Sequence, residues 1–307
     1  MTASHFYPIG TPGVAWGAAE KAQWRARQRK QRSYADEVVA EIDALRDRFD
    51  VERYGELDYA EDGRYPLYAI RSRGWDAALP VALVTGGVHG YETSGVHGAL
   101  QFVERHAGDY AGRANLLIAP CISPWAYERI HRWNPDALDP NRNFFAGSPA
   151  GESAALLALV APLRGRILVH VDLHETTDSD ESEFRPALAA RDGKAHEPGT
   201  IPDGFYLCAD SARPEPDFQQ AINAAVAKVT HIAPADPDGT IIGSPMVAPG
   251  VIEYDCRRLG LCAGATDARY VTTTEVYPDS PRATPRQCDH AQATAVRAAI
   301  DFALARA

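Results

Sequence analysis

The stretch GGVHGYETSG, residues 86–95, interrupts a strand-like run on two glycines and then presents His89 and Glu92 three positions apart. A second histidine, His174, ends the apolar run ILVHVDL. Two neutral imidazoles and one carboxylate make a three-ligand zinc site that leaves a fourth position for water, the arrangement of a catalytic rather than a structural ion. The i, i+3 spacing lets one tight turn supply two ligands, and the glycines let the backbone bend there without a Cβ clash. Zinc lowers the pKa of a bound water to about 7, so hydroxide becomes available at neutral pH. A separate carboxylate must take the proton and pass it on, and Glu275, in RYVTTTEVY, is the candidate base.

Between these positions, NPDALDPNRNF (134–144) sets Asn141 beside Arg142, shortly after Arg132. Arginine presents a rigid bidentate fork to a carboxylate and asparagine can complete the cradle, so the pair reads as an anion clamp. The segment HETTD (174–178) departs from the H-E-x-x-H zinc helix at Asp178 and follows a strand, so Glu175 reads as a supporting or loop carboxylate. The acidic run TTDSDESEF (176–184) reads as a solvated loop beside the pocket mouth, and His170 as a satisfied core or supporting histidine. His97, His131, His196, His231 and His290 join no constellation. No nucleophile elbow, phosphate loop or dinucleotide glycine motif occurs.

The elements that must position these groups follow from the hydrophobic pattern. With 307 residues, 45% of them hydrophobic and 23% charged, the chain can bury a full core. A net charge of −10 argues against a phosphate-binding surface, and the basic stretch KAQWRARQRKQR (21–32) reads as a solvated helix face. The apolar run AALLALVAPL is shorter than the ~20 residues that span a bilayer. The opening MTASHFYPIGTPG has no basic stretch leading into an apolar one, so no secretory leader is expected. Five scattered cysteines without C-x-x-C spacing argue against a disulfide framework and point to a reducing cytoplasm.

Two helices broken near Ser33 precede a hairpin, VERYGELDY and YPLYAIRSR. Strand-like and helix-like segments then alternate to the end of the chain, the mark of an α/β fold. The expectation is a single domain with a mixed, mostly parallel twisted sheet and helices on both faces. Residues 1–50 form a helical extension packed on a catalytic domain, 51–307. Ligands of open α/β sheets gather at the carboxyl ends of strands, where His89, Glu92, His174 and Glu275 fall, so the zinc site is expected there.

The order HGYE (89–92), DPNRNF (139–144), DLHETT (172–177) and TTTEVY (272–277) resembles the zinc metallocarboxypeptidase family, in its bacterial branch near the succinylglutamate desuccinylase and aspartoacylase enzymes. The resemblance covers residues 65–290. It implies one zinc per chain on His89, Glu92 and His174, with Glu275 as general base and later proton donor. It also implies that Asn141 and Arg142 bind a terminal carboxylate, that Asp139 orients His89, and that Arg132 stabilises the oxyanion, with Arg129 close enough to compete. Pro140 stands where the family has leucine, and the N-terminal helices have no counterpart. The family's mobile tyrosine is unassigned between Tyr254 and Tyr270. The implied activity is cleavage of an amide bond beside a carboxylate-bearing residue, as a carboxypeptidase acting on peptides. The alternatives are a deacylase of N-acyl amino acids and a binding protein that has kept the fold without catalysis. In either hydrolase reading the partner is a small substrate with a free carboxylate, and neither nucleic acid nor membrane is expected.

Overall fold

The computed structural model describes residues 7–307; residues 1–6, where the stretch inspected for a leader and the 1–50 extension begin, lie outside the described residues. The chain opens with α1 (Ala18–Arg27) and α2 (Ala40–Ala44), the latter entered through a π-type turn, Ala35–Val39. Ser33 caps that turn, its Oγ accepting from Asp36 N. The hairpin β1 (Asp50–Asp58) and β2 (Arg64–Arg71) is followed by β3 (Val81–Gly86), α3 (Thr93–Arg105), β4 (Asn115–Ala119), α4 (Pro124–Arg129), α5 (Gly151–Val160) and β5 (Ile167–Glu175). Next come α6 (Arg185–Arg191), β6 (Tyr206–Asp210), α7 (Pro216–Val226), the small hairpin β7 (Thr240–Ile241) and β8 (Ser244–Pro245), β9 (Val251–Tyr254), β10 (Tyr270–Val276) and α8 (Pro285–Leu304).

Eight strands form one sheet in the order β1-β2-β4-β3-β5-β10-β6-β9. The pairs β4/β3, β3/β5, β5/β10 and β6/β9 are parallel, while β1/β2, β2/β4 and β10/β6 are antiparallel. Central strands covered on both faces need apolar residues at every position rather than at alternate ones. In β3, Ala82 and Val84 face one core layer while Val81 and Leu83 face the other, and all four are buried. The first layer is covered by α3, α7 and α8, the second by α5 and the segment around Cys262. The expected single-domain, mostly parallel mixed sheet with helices on both faces is the architecture found. Among the described residues no helix is long and apolar enough to cross a membrane.

The basic stretch 21–32 is mostly exposed, as expected of a solvated face, with one buried exception. Trp24 is fully buried, packed against Trp125, Trp133 and His131 with ring centroids 6.2, 5.5 and 4.8 Å away. A single buried aromatic is enough to anchor a helix whose other positions are mostly exposed. His131 lies in this aromatic box, with Phe184 on its other side (5.0 Å), and burial drives its pKa down to about 3.

A histidine depressed in the folded state takes up a proton only on unfolding over the window between its two pKa values. Stability therefore falls as pH drops from about 6.5 toward 3 and is unaffected above it. Urea unfolding across that window should show the loss in the wild type and a flatter acid limb in His131→Gln.

Candidate metal and substrate site

The parallel pairing of β3, β5 and β10 fixes which residues meet at the sheet's carboxyl edge. Gly86 lies opposite Leu173, and Glu275 opposite His174, so the loop after β3 and the ends of β5 and β10 face one space. Gly87 takes a positive φ of 59° to start the turn. Gly90 packs so closely on α4 that a Cβ there would lie 2.0 Å from the Ala126 carbonyl carbon. The turn is thus pressed against a helix, and His89 and Glu92 are directed inward, both buried.

His89, Glu92 and His174 each bring a ligand atom to within 4.8 Å of one another. His89 Nδ1 lies 2.7 Å from Glu92 Oε1, and His174 Nδ1 lies 2.7 Å from Glu92 Oε2. Glu92 Oε2 is buried yet lacks a hydrogen bond of acceptable geometry, as suits an atom aimed at a shared ion. On the far side of each ring, His89 Nε2 donates to Asp139 Oδ1 (3.0 Å) and His174 Nε2 donates to Asp172 Oδ2 (2.8 Å). A carboxylate behind each imidazole fixes the tautomer and turns Nδ1 toward the metal position. Donor set, convergence and supporting carboxylates all fit zinc.

Asp139 is the supporting carboxylate implied by the sequence; Asp172 was missed. It stands two residues before His174 on β5, so the strand's period of two places both side chains on one face, and that spacing was the available signal. Burial opposes ionisation of Glu92, but the imidazoles of His174 and His89 outweigh it and hold the carboxyl at about 2. Burial likewise acts to lower His174, and Glu92 and Asp172 overcome it and raise the ring well above its usual value. A metal bound here therefore displaces a proton.

A second convergence, His170, Asp172 and Cys262, lies behind the first. The Thr85 hydroxyl sits among the three, donating to Asp172 Oδ1 (2.6 Å), 3.0 Å from His170 Nε2 and 3.5 Å from Cys262 Sγ. That hydroxyl occupies the centre an ion would need, and His170 is the satisfied core histidine expected.

The cavity in front of the ligands has a volume of ≈ 210 Å³ and is lined also by Glu275, Arg132, Asn141 and Arg142. Glu275 is held by Thr176 Oγ1 (3.1 Å). Burial raises its carboxyl to about 8, opposed by His174 and reinforced by Glu92 and Asp180. Arg132 donates to Asp139 Oδ2 (3.1 Å) and to the Tyr91 hydroxyl (3.2 Å), which itself donates to Asp180. Arg129 turns away, stacked on Trp125 and bonded to Tyr65 and Asp62, and does not line the cavity. Asn141 Oδ1 accepts from Cys262 N (2.7 Å). Arg142 is exposed, and among the described residues no carboxylate pairs with it; its Nη1 donates only to the Asn141 carbonyl.

One segment corrects the sequence reading, and three further side chains complete it. The acidic run 176–184 is no solvated loop: Asp180–Phe184 coils into a π-type turn that continues as α6, burying Asp180 and Phe184. Phe184 supplies the apolar contact, packing 4.5 Å from Tyr91, and Asp180 accepts from Thr177 N. Glu175 accepts from Thr93 N and Ser94 N, satisfying free N–H groups at the start of α3. Of the two tyrosines, Tyr270 is buried between Phe218 and Phe302, whereas Tyr254 lines the cavity from β9 with its hydroxyl accepting from Ser244. The lining from the 240–270 region is Ile242, Tyr254, Leu259 and Leu261.

No family model matches the sequence, and no curated protein matches it. Solved structures do. A candidate metallopeptidase from Shewanella amazonensis superposes with a TM-score of 0.64 at 22% identity, over 88% of this chain and 91% of that one. A metallo-carboxypeptidase from Burkholderia cenocepacia gives 0.59 at 16% identity, over 87% and 68%. Carboxypeptidase A from Helicoverpa armigera gives 0.58 at 13%, over 90% and 74%. The chain has the fold of these metallo-carboxypeptidases.

Replacing Asp172 with Asn should weaken zinc binding by about 10–100-fold, the usual cost of losing the partner of a ligating imidazole. Chelator competition reads this directly, with circular dichroism of the metal-free protein expected to match wild type.

Proposed function

We propose that the chain is a zinc-dependent amide hydrolase, most specifically a carboxypeptidase that removes the C-terminal residue of a peptide. The observation that carries this reading is one cavity holding the His89–Glu92–His174 convergence, Glu275 and Arg142, an arginine that no carboxylate pairs with among the described residues. Zinc, when bound, supplies Lewis acidity for water and for the substrate carbonyl.

The remaining work falls to the chain's own groups. Arg142 grips the terminal carboxylate through its fork, with the Asn141 amide nitrogen beside it, and so sets the scissile bond at a fixed distance from the ligands. Arg132, its guanidinium held by Asp139 and Tyr91, faces the carbonyl oxygen and stabilises the negative charge that builds there. Glu275, as carboxylate, takes a proton from the attacking water while the water oxygen bonds to the carbonyl carbon. It then hands that proton to the departing nitrogen as the C–N bond breaks. Its elevated affinity for a proton makes the carboxylate a stronger base for the first half of that exchange.

The cavity itself holds about one residue, which also suits an N-acyl amino acid. What supports a peptide is the open groove of ≈ 770 Å³ that continues past Ile242, a residue shared by both spaces. The five cysteines, all buried and unpaired, support a reducing cytoplasm as the working compartment.

Purified wild type and Glu275→Gln should each hold one zinc by elemental analysis, while His89→Ala loses it. Against a panel of peptides and N-acyl amino acids, Glu275→Gln should lower kcat by about 10²–10⁴-fold. Wild type without zinc under metal-replete conditions would sink the proposal, and the panel separates peptidase from deacylase. Arg142→Ala should raise KM for substrates with a free carboxylate about 30-fold, the loss of about 2 kcal/mol of charge-assisted hydrogen bonding, and leave amidated analogues unchanged.

A further inference from the structure

The link between α1 and the π-type turn takes no part in the chemistry above, yet it reaches the metal-ligand turn. Residues 30–34 close over the carboxyl end of α4, where a helix leaves carbonyls without partners. Gln31 N and Arg32 N donate to Glu128 O, Gln31 Nε2 donates to Arg129 O, and Lys30 pairs with the Glu128 carboxylate at 2.6 Å. These contacts dock the segment.

Arg32 does something different. Its guanidinium lies 3.5 Å above the Tyr127 ring, and its three nitrogens diverge to three elements. Nε donates to Tyr127 O (2.7 Å) on α4, Nη2 to Gly90 O (2.7 Å), and Nη1 to Thr93 Oγ1 (2.8 Å). Gly90 is the residue directly after His89, and Thr93 the residue directly after Glu92. Thr93 Oγ1 also donates to Tyr91 O, so the fork controls the peptide carbonyls between the two ligands. No salt bridge diverts the guanidinium among the described residues.

We infer that Arg32 is a positioning residue for the metal centre, a clamp from the N-terminal segment that holds the 89–92 turn in the conformation in which His89 and Glu92 converge. The inference rests on the reading that His89, Glu92 and His174 bind zinc. A lysine cannot reproduce the clamp, because one ammonium on a flexible stem cannot span three acceptors and a ring face together.

The test measures zinc affinity of the metal-free full chain by competition with a chromogenic chelator, alongside its thermal midpoint. Arg32→Met should weaken zinc about tenfold or more, with Arg32→Lys intermediate. Lys30→Met, which loosens the same docked segment without touching the turn, should lower the midpoint and keep zinc affinity within about twofold of wild type. If Arg32→Met does not fold, Thr93→Val removes one of the clamp's acceptors and should weaken zinc severalfold. Wild-type affinity in whichever of the two is measured, with only the thermal midpoint lowered, overturns the inference and leaves Arg32 a structural contact. A wild type that binds no zinc overturns instead the reading of the site on which the inference rests.

Discussion

The constraint on which the structure depends is the burial of Glu92 between two imidazoles. An ionised carboxylate out of water costs several kcal/mol unless opposite charge meets it, and this one has neighbours of its own sign. Glu175 and Glu275 lie in the same cavity wall and both have raised carboxyls, at about 7 and about 8, mainly through burial, with Glu92 adding to each. Asp139, Asp172 and Asp180 complete a ring of buried acids. The His174 ring and the Arg132 guanidinium face them, with exposed Arg142 also lining the cavity. A divalent ion at the point where His89, Glu92 and His174 converge would balance this excess, so the donor set fits a metal site better than a cluster of ion pairs.

Meeting that constraint requires rigid supports on every side. Parallel register brings β5 and β10 level, so that Glu275 and His174 share one edge, and Gln292 from α8 secures it by donating to His174 O and accepting from Thr274. The turn after β3 has no strand to hold it. It is pinned instead by α4 beneath Gly90, by the start of α3 and by the segment that follows α1.

The order of strands and helices was legible because each rests on local periodicity. β3 opens on the apolar run VALV, β5 alternates apolar residues with His170, Asp172 and His174, and α8 opens with Thr284 and Gln287 in a reciprocal cap. The chemistry-bearing residues were legible where motif and strand end coincided. What escaped was context that only tertiary structure supplies. Asp180 looks like any solvated acid in a run of acids until Phe184 is seen packing under Tyr91 and pulling the run inward. Trp24 and Arg32 sit in a stretch whose average character is basic and exposed, and averaging hides the two side chains that matter. Tyr254 and Tyr270 both sit in strand-like sequence, and only the face of the sheet each side chain takes separates a cavity wall from a core.

The two histidines are supported in different ways. Asp172 is locked within β5 and tied to Thr85, so His174 is held by the sheet alone. Asp139 belongs to a loop and serves three masters: its Oδ1 accepts from His89 Nε2 and from Asn141 N, and its Oδ2 accepts from Arg132 Nε. One carboxylate therefore ties together the His89 ring, the backbone at Asn141 and the Arg132 guanidinium.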